Sequence, residues 1–134
     1  MRYLLDTNAC IVYLKGNNSN IQQRLHAISI QELAVCSIVK AELSCGAMKS
    51  AHPERNFMLQ QAFLQQFFSF PFNDLAAVTS GKIRAGLESR GTPIGAYDLQ
   101  IAAIALANNL ILVTHNIREF NRINDLQVED WEST

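Results

Sequence analysis

The chain has 134 residues, of which 49% are hydrophobic, and 11 Lys and Arg against 12 Asp and Glu give it a formal net charge of -1. This size predicts one globular domain that buries about two-thirds of its unfolded surface, and the charge excludes an overall basic protein of the kind that binds nucleic acid passively. An acidic residue at Asp6 comes too early for a signal peptide, and no apolar run approaches the roughly 18 residues of a membrane span, so we expect a cytoplasmic protein.

The first half of the chain alternates short apolar runs with helical periodicity. The three cysteines lie within these stretches, and their odd number predicts reduced, partly buried thiols rather than a disulfide framework. Pro53 suits the first turn of a helix, where its missing N–H is not needed. In chain order the pattern predicts a strand over 2–5, a helix over 20–29, a strand over 33–37, a helix through 38–47, a helix from Pro53 to about Phe68 and a strand over 69–72.

The second half continues the alternation. Asn73 opens a predicted helix, which Gly and Pro residues over 90–95 interrupt. Asp98 begins the next helix, predicted over 99–108, and the apolar run 110–114 is the strongest strand signal, covered on both faces. A last weak strand precedes Trp131. Strands separated by helices, without hairpin turn signatures, predict an α/β fold with a doubly wound parallel sheet and helices on both faces.

Polar residues follow several of the predicted strands. Asp6 ends the first strand, Glu42 lies just over one helical turn after the second, Asp98 starts a helix, and Thr114 ends the apolar strand. Open parallel sheets bind ligands outside the carboxyl ends of their strands, at a switch in strand order. We therefore expect these separated residues to converge on one rim of the sheet.

Each acidic residue also has a purely structural interpretation. Asp6 and Asp98 can serve as helix caps, whose side chains accept a backbone N–H. Glu42 lies at the margin of the apolar stripe of its helix, and a solvated helix edge explains it as well as a buried partner does. Single positions therefore do not decide between a structural and a chemical role.

Taken together, the three carboxylates indicate a cation. They would repel one another, and no Lys or Arg lies within three positions of Asp6 or Asp98. Oxygen ligands suit magnesium or manganese. The three histidines are scattered without zinc-ligand spacing, so we interpret His26, His52 and His115 as surface or packing residues.

Four segments together resemble a VapC-type PIN domain: residues 4–8 (LLDTN), 39–47 (VKAELSCGA), 95–103 (GAYDLQIAA) and 112–120 (LVTHNIREF). The resemblance runs from Tyr3 to Trp131. It implies that residues 1–134 form a single PIN domain with endoribonuclease activity dependent on Mg²⁺, for which Mn²⁺ can substitute. It further implies a homodimer, and the toxin of a type II toxin–antitoxin pair whose small antitoxin blocks the acidic rim.

The resemblance also assigns residues. Asp6, Glu42 and Asp98 match the catalytic carboxylates of the family, Asp6 and Asp98 holding the metal. Asn8 and Thr114 match polar positions that support them. Many PIN domains place a fourth acidic residue where this chain has Asn116. Glu119, one helical turn further on, is a candidate to supply that charge. Alternatively, Asn116 itself acts as a neutral ligand. The number of metal ions therefore stays open.

Hydrolysis of an RNA phosphodiester by activated water is the expected reaction. The subgroup that looks most similar acts on transfer RNA, particularly the initiator. The candidates for phosphate contacts are Lys82, Arg84, Arg90 and Arg118, although solvated helix faces explain such residues equally well.

Two other functions compete with this interpretation. A haloacid-dehalogenase-like phosphohydrolase also places an Asp after its first strand, but it needs a second Asp two residues later, where Asn8 stands. A non-catalytic PIN-like binding module would use the acidic residues only as caps. Metal binding that depends on Asp6 or Asp98 separates an enzyme from such a module.

Overall fold

A computed structural model describes residues 1–133. Its strands are β1 (Tyr3–Leu5), β2 (Leu33–Cys36), β3 (Phe68–Phe70), β4 (Ile111–Val113) and β5 (Val128–Glu129). Its helices are α1 (Thr7–Lys15), α2 (Ser19–Ala27), α3 (Ser37–Met48), α4 (Pro53–Leu64), α5 (Asp74–Ser89), α6 (Ala96–Ala107) and α7 (Ile117–Phe120). The predicted α/β fold is confirmed, with helices on both faces of one parallel sheet.

The five strands lie in the order β3-β2-β1-β4-β5, and every neighbouring pair is parallel. From β1 the chain proceeds to β2 and β3 on one side, and β4 returns to the other side of β1. The order therefore switches between β1 and β4, where Leu5 pairs with Val113. The residues after these two strands lie at the position where such sheets bind ligands.

The central strands are apolar because both of their faces are covered. Leu4, Leu5 and Leu112 are completely buried. Helix α6 is buried over most of its surface, with no exposure at Ile101 or Ile104, as expected for a helix that is apolar all round. Side chains on the first turn of α6 are consequently carried by a rigid element.

The C-terminal segment packs back on the start of the chain. The ring of Trp131 meets that of Tyr3 edge-on, with centroids 5.1 Å apart, and its indole N–H donates to Glu129. Arg24 lies over the same indole and forms a 2.9 Å salt bridge with Glu129. The acidic tail is thus ordered against β1 and α2.

Among the predicted helix boundaries, the end of α4 and the start of α6 were wrong. Helix α4 ends at Leu64 rather than near Phe68, because Phe68 already pairs with Ala34 in the sheet. Helix α6 begins at Ala96 with Gly95 as its N-cap residue. Asp98 therefore lies within the first turn and does not cap the helix. The short α7 was not predicted. The caps formed by Asn73 and the last strand before Trp131 were predicted correctly.

The cysteines are all free thiols, as predicted. Cys10 and Cys36 are buried, and Cys45 is exposed. Within residues 1–133, none of the helices is both long enough and apolar enough to span a membrane.

Candidate active site

Asp6 lies buried at the end of β1, directly beside β4. Its backbone N–H donates to the carbonyl of Val113, and its Oδ1 accepts a 2.7 Å hydrogen bond from the N–H of Ala9. The capping interpretation of Asp6 is therefore correct, and this contact fixes the orientation of the carboxylate. Burial raises the pKa of Asp6 to about 6, although the neighbouring Thr114 hydroxyl and the Ala9 N–H partly offset this effect.

Glu42 is half-buried on α3, and its partner comes from α1. The hydroxyl of Thr7 donates to Glu42 Oε1 at 2.6 Å. Asn8 in this segment was predicted to support the carboxylates, but its side chain is exposed. The adjacent Thr7 is the residue that holds the carboxylate, and the position of Thr7 at the start of a helix gave no signal for this role.

Asp98 lies close enough to other carboxylates to be affected by their charges. It is half-buried in the first turn of α6, and its pKa is raised to about 6 by burial first and then by the negative charges of Glu119 and Glu42. The Asp98 charge in turn contributes to the raised pKa of Asp6. The three carboxylates expected from the sequence therefore lie close enough to influence one another electrostatically.

Glu119 joins this group from α7. Its Oε2 accepts a 3.0 Å hydrogen bond from the side-chain amide of Asn116, and the backbone N–H of Asn116 donates to the Thr114 hydroxyl. Asn116 thus orients Glu119, whose charge acts directly on Asp98. We call Asp6, Glu42, Asp98 and Glu119 the acidic cluster.

The acidic cluster has no cationic side chain to balance it. The salt bridges among residues 1–133 are Arg24–Glu129, Arg84–Glu88 and His115–Asp130, and none includes a member of the cluster. Oxygen donors without a basic partner suit a hard divalent cation. Among residues 1–133, the His, Cys, Asp and Glu side chains that place three ligand atoms within 4.8 Å of one another are His115, Asp130 and Glu132, outside the acidic cluster.

A second polar group lies beyond β4 and β5. His115 Nδ1 lies 3.0 Å from Asp130 Oδ2, and the backbone N–H of Glu132 donates to the other oxygen of Asp130. Burial raises the pKa of Asp130, but hydrogen bonds from Glu132, Ser133 and His115 together lower it below its ordinary value. The negative charge of Glu132 also contributes, as the smallest of the causes, to the raised pKa of Asp6.

Several candidate phosphate contacts are engaged elsewhere. Arg84 pairs with Glu88 on its own helix, and Arg90 donates to the carbonyl of Arg122. Lys82 and Arg118 form no salt bridge among residues 1–133. Arg118 directly precedes Glu119, so of the basic residues suggested by the sequence it is the one beside the acidic cluster in the chain.

Comparison with known proteins gives a consistent result. A family model described as PIN domain matches residues 3–126. The tRNA(fMet)-specific endonuclease VapC of Salmonella typhimurium is 38% identical over 131 residues, covering 98% of each chain, and ribonuclease VapC2 of Haemophilus influenzae is 38% identical with the same coverage. The crystal structure of DNA-bound VapBC from Salmonella typhimurium superposes with a TM-score of 0.92 at 38% identity, over 98% of each chain.

Proposed function

The chain belongs to the PIN-domain family of VapC ribonucleases, and on that premise we propose that it is a metal-dependent endoribonuclease toxin with Asp6, Glu42 and Asp98 as its catalytic carboxylates. One observation carries the assignment of these residues. The acidic cluster gathers at the switch in strand order without a basic side chain to neutralise it among residues 1–133. Several buried or half-buried carboxylates placed together only for stability would be expected to have a cationic partner as well as hydrogen bonds.

The cofactor we propose is Mg²⁺, with Mn²⁺ as a substitute. Asp6 and Asp98 would hold it, because the negative charge of Asp98 already raises the pKa of Asp6 and a cation relieves that repulsion. When bound, the cation supplies positive charge at the scissile phosphate and favours the hydroxide form of water. Glu119 stands next to Asp98 and would extend the ligand set, taking the place of the fourth acidic residue.

The protein's own residues then orient the reaction. Glu42 would accept the proton of the attacking water, since the bond from Thr7 occupies Oε1 and leaves Oε2 available. The cap to Ala9 holds Asp6 in one orientation throughout. Attack by water leaves a 5′-phosphate and a 3′-hydroxyl on the fragments, and it does not require the 2′-hydroxyl of the RNA.

The substrate we propose is transfer RNA, and initiator transfer RNA in particular. The Salmonella relative is named for that substrate, and single-stranded loops present unstacked bases that a protein can read. Sequencing RNA 5′ ends after brief expression of the chain tests this proposal, with the Asp6→Asn variant as the control. We expect new 5′-phosphate ends at one site in transfer RNA. Identical ends in both strains would refute the assignment.

A small antitoxin is the proposed protein partner, since the solved relatives are VapBC complexes. A groove of about 330 Å³ between α1, α3 and α4 offers it a docking surface, lined by Ile11, Leu14, Leu43 and Leu59. At its edge the side-chain oxygen of Gln60 is buried without a hydrogen-bond partner within residues 1–133. An apolar helix face with one N–H donor would complement this groove.

We propose that an arginine of an antitoxin docked in this groove reaches the acidic cluster. A guanidinium can pair bidentately with carboxylates that otherwise hold metal, so it would compete with the cation. Co-expression with the small gene beside this one tests the partner. Leu59→Glu should abolish copurification and restore toxicity, whereas Leu75→Glu on α5, at similar exposure, should not. Toxicity unaffected by the neighbouring product would contradict the proposal.

We further propose that the protein acts in the cytoplasm and forms a homodimer. Its thiols are free and two are buried, which agrees with a reducing compartment. Sedimentation of the purified chain measures the oligomeric state directly, and a single monomeric species at micromolar concentration would exclude the dimer.

A further inference from the structure

An exposed aromatic ring stands next to the acidic cluster. Tyr97 immediately precedes Asp98 in the first turn of α6, and 61% of its surface is exposed. A large ring in water beside a catalytic carboxylate contributes little to the core. The Tyr97 ring is therefore accessible to a ligand that reaches the acidic cluster.

The ring forms one wall of a small cavity. This cavity measures about 240 Å³ and is lined by Ile38, Ala41, Glu42, Cys45 and Tyr97. Helix α3 supplies its apolar floor, and Glu42 belongs to both the cavity and the acidic cluster. Any group that fills this space therefore contacts Glu42, a member of the acidic cluster.

The size and chemistry of the cavity fit one planar ring. It is smaller than the roughly 300–1,000 Å³ of pockets that enclose drug-sized ligands, and its walls are apolar or aromatic apart from Glu42. The docking groove described above lies elsewhere, against α1 and α4. A nucleobase is flat, and every base offers a π-face that can stack on tyrosine.

We infer that this cavity receives one unstacked nucleobase of the RNA, that of a nucleotide adjoining the scissile phosphate, and that Tyr97 stacks on it. The inference rests on the proposed ribonuclease function. It makes Tyr97 a substrate-positioning residue and explains a requirement for single-stranded RNA at the cut, because a base held in a duplex cannot enter. Sequence preference next to the cut would then arise from the fit of one base.

Kinetics with modified RNA tests the inference. Tyr97→Ala should lower kcat/KM about 5- to 150-fold, the range that loss of base stacking produces, mainly through KM because stacking is present in both ground and transition states. Tyr97→Phe should retain activity, and Tyr97→Leu should fall between the two. Phe68→Ala, which removes another half-exposed ring, is the matched control and should have no effect.

RNA substrates that each lack one base show which nucleotide places its base in the cavity. An RNA that lacks the base at the correct flanking nucleotide should be cleaved slowly, and equally so by the wild type and by Tyr97→Ala. Abasic sites at other positions should preserve the difference between the two enzymes. If Tyr97→Ala remains slower on every abasic substrate, Tyr97 does not stack on a flanking base and the inference is wrong.

Cys45 provides a measurement that does not depend on cleavage. Burial raises the pKa of Cys36 to about 11 and that of Cys10 well above its ordinary value, so alkylation at neutral pH reports the exposed Cys45. In the Asp6→Asn variant, an uncleaved RNA should protect Cys45, and an abasic RNA should not. Equal alkylation with and without RNA would contradict a base in this cavity.

These results distinguish the possible failures. If the wild-type chain cleaves no RNA, the proposed function itself fails. If it cleaves RNA and Tyr97→Ala does so equally well, only the stacking inference fails. If Tyr97→Ala loses binding to the antitoxin while RNA kinetics stay unchanged, the cavity serves a protein side chain and the inference is overturned.

Discussion

The hydroxyl of Thr7 donates a 2.6 Å hydrogen bond to Oε1 of Glu42, joining residues 35 positions apart in the chain. Thr7 is the first residue of α1, next to Asp6, and Glu42 lies in the middle of α3. Because Thr7 directly follows Asp6, this bond connects Glu42 to the segment that carries Asp6. It also occupies Oε1 of Glu42 and leaves Oε2 outside this bond.

Thr7→Val should lower kcat by about 10- to 100-fold, the usual cost of losing a residue that orients a catalytic or metal-binding group. Thr7→Ser keeps the hydroxyl and should restore most of the rate. Thr79→Val on α5, which also loses a hydroxyl bond, is the control for general destabilisation. Unchanged kcat in Thr7→Val would show that Glu42 needs no orientation.

Asp6→Asn, Glu42→Gln and Asp98→Asn should each abolish RNA cleavage and leave the fold intact. Each replacement removes a negative charge and preserves the side-chain shape, and Asn at position 6 can still cap α1. Cleavage assays with saturating Mg²⁺, together with thermal unfolding, separate the two effects. Asp74→Asn, an exposed acidic residue on α5, should cleave normally.

A non-catalytic module predicts a different pattern for the same variants. If Asp6 serves only as a cap, Asp6→Asn keeps that cap and should leave both stability and metal affinity nearly unchanged. A haloacid-dehalogenase-like phosphohydrolase would instead hydrolyse a small phosphate ester as wild type and lose that activity in Asp6→Asn. Either result would replace the ribonuclease assignment.

Chelation should stop cleavage reversibly. EDTA should reduce the rate to background, and excess Mg²⁺ or Mn²⁺ should restore it, because the acidic cluster lacks positive charge of its own among residues 1–133. Calorimetric titration of the metal-free chain with Mn²⁺ measures binding independently of turnover. Cleavage that persists in EDTA would eliminate the metal mechanism.

Glu119→Gln should weaken cation binding and lower the pKa of Asp98. The negative charge of Glu119 contributes to the raised pKa of Asp98, so removing that charge makes the proton easier to lose. NMR titration of the metal-free chain measures the pKa directly. Asn116→Ala should have a smaller effect, since it removes the hydrogen bond to Glu119 but no charge.

The metal-free chain should lose stability as the pH rises from about 4 through 6. Asp6 and Asp98 have pKa values of about 6 against an ordinary 3.8. The folded chain therefore binds their protons more tightly than the unfolded chain does. This contribution to stability is lost once the carboxyl groups are deprotonated in both states. Urea unfolding in EDTA at pH 5 and pH 7 measures the slope. Asp98→Asn should flatten it, and an unchanged slope would contradict the raised pKa.

Physical reasons decide which features could be predicted from the sequence and which could not. The run 110–114 identified β4 because buried parallel strands are continuously apolar, and the rule on strand ends located Asp6 and Thr114. The contact of Thr7 with Glu42 depends on how α1 packs against α3, which no local pattern records. Helix α7 has only four residues, too few for periodicity, so the position of Glu119 remained open.

The central position of β1 also decides when the sheet can be completed while the chain is being synthesised. It pairs with β2, formed early in the chain, and with β4, formed late, while Trp131 packs on Tyr3. A nascent chain that has emerged only through β3 carries Asp6 and Glu42 but not Asp98, Glu119 or the strand that closes the rim. We therefore expect the chain to cleave RNA only after the residues through β4 and α7 have been made.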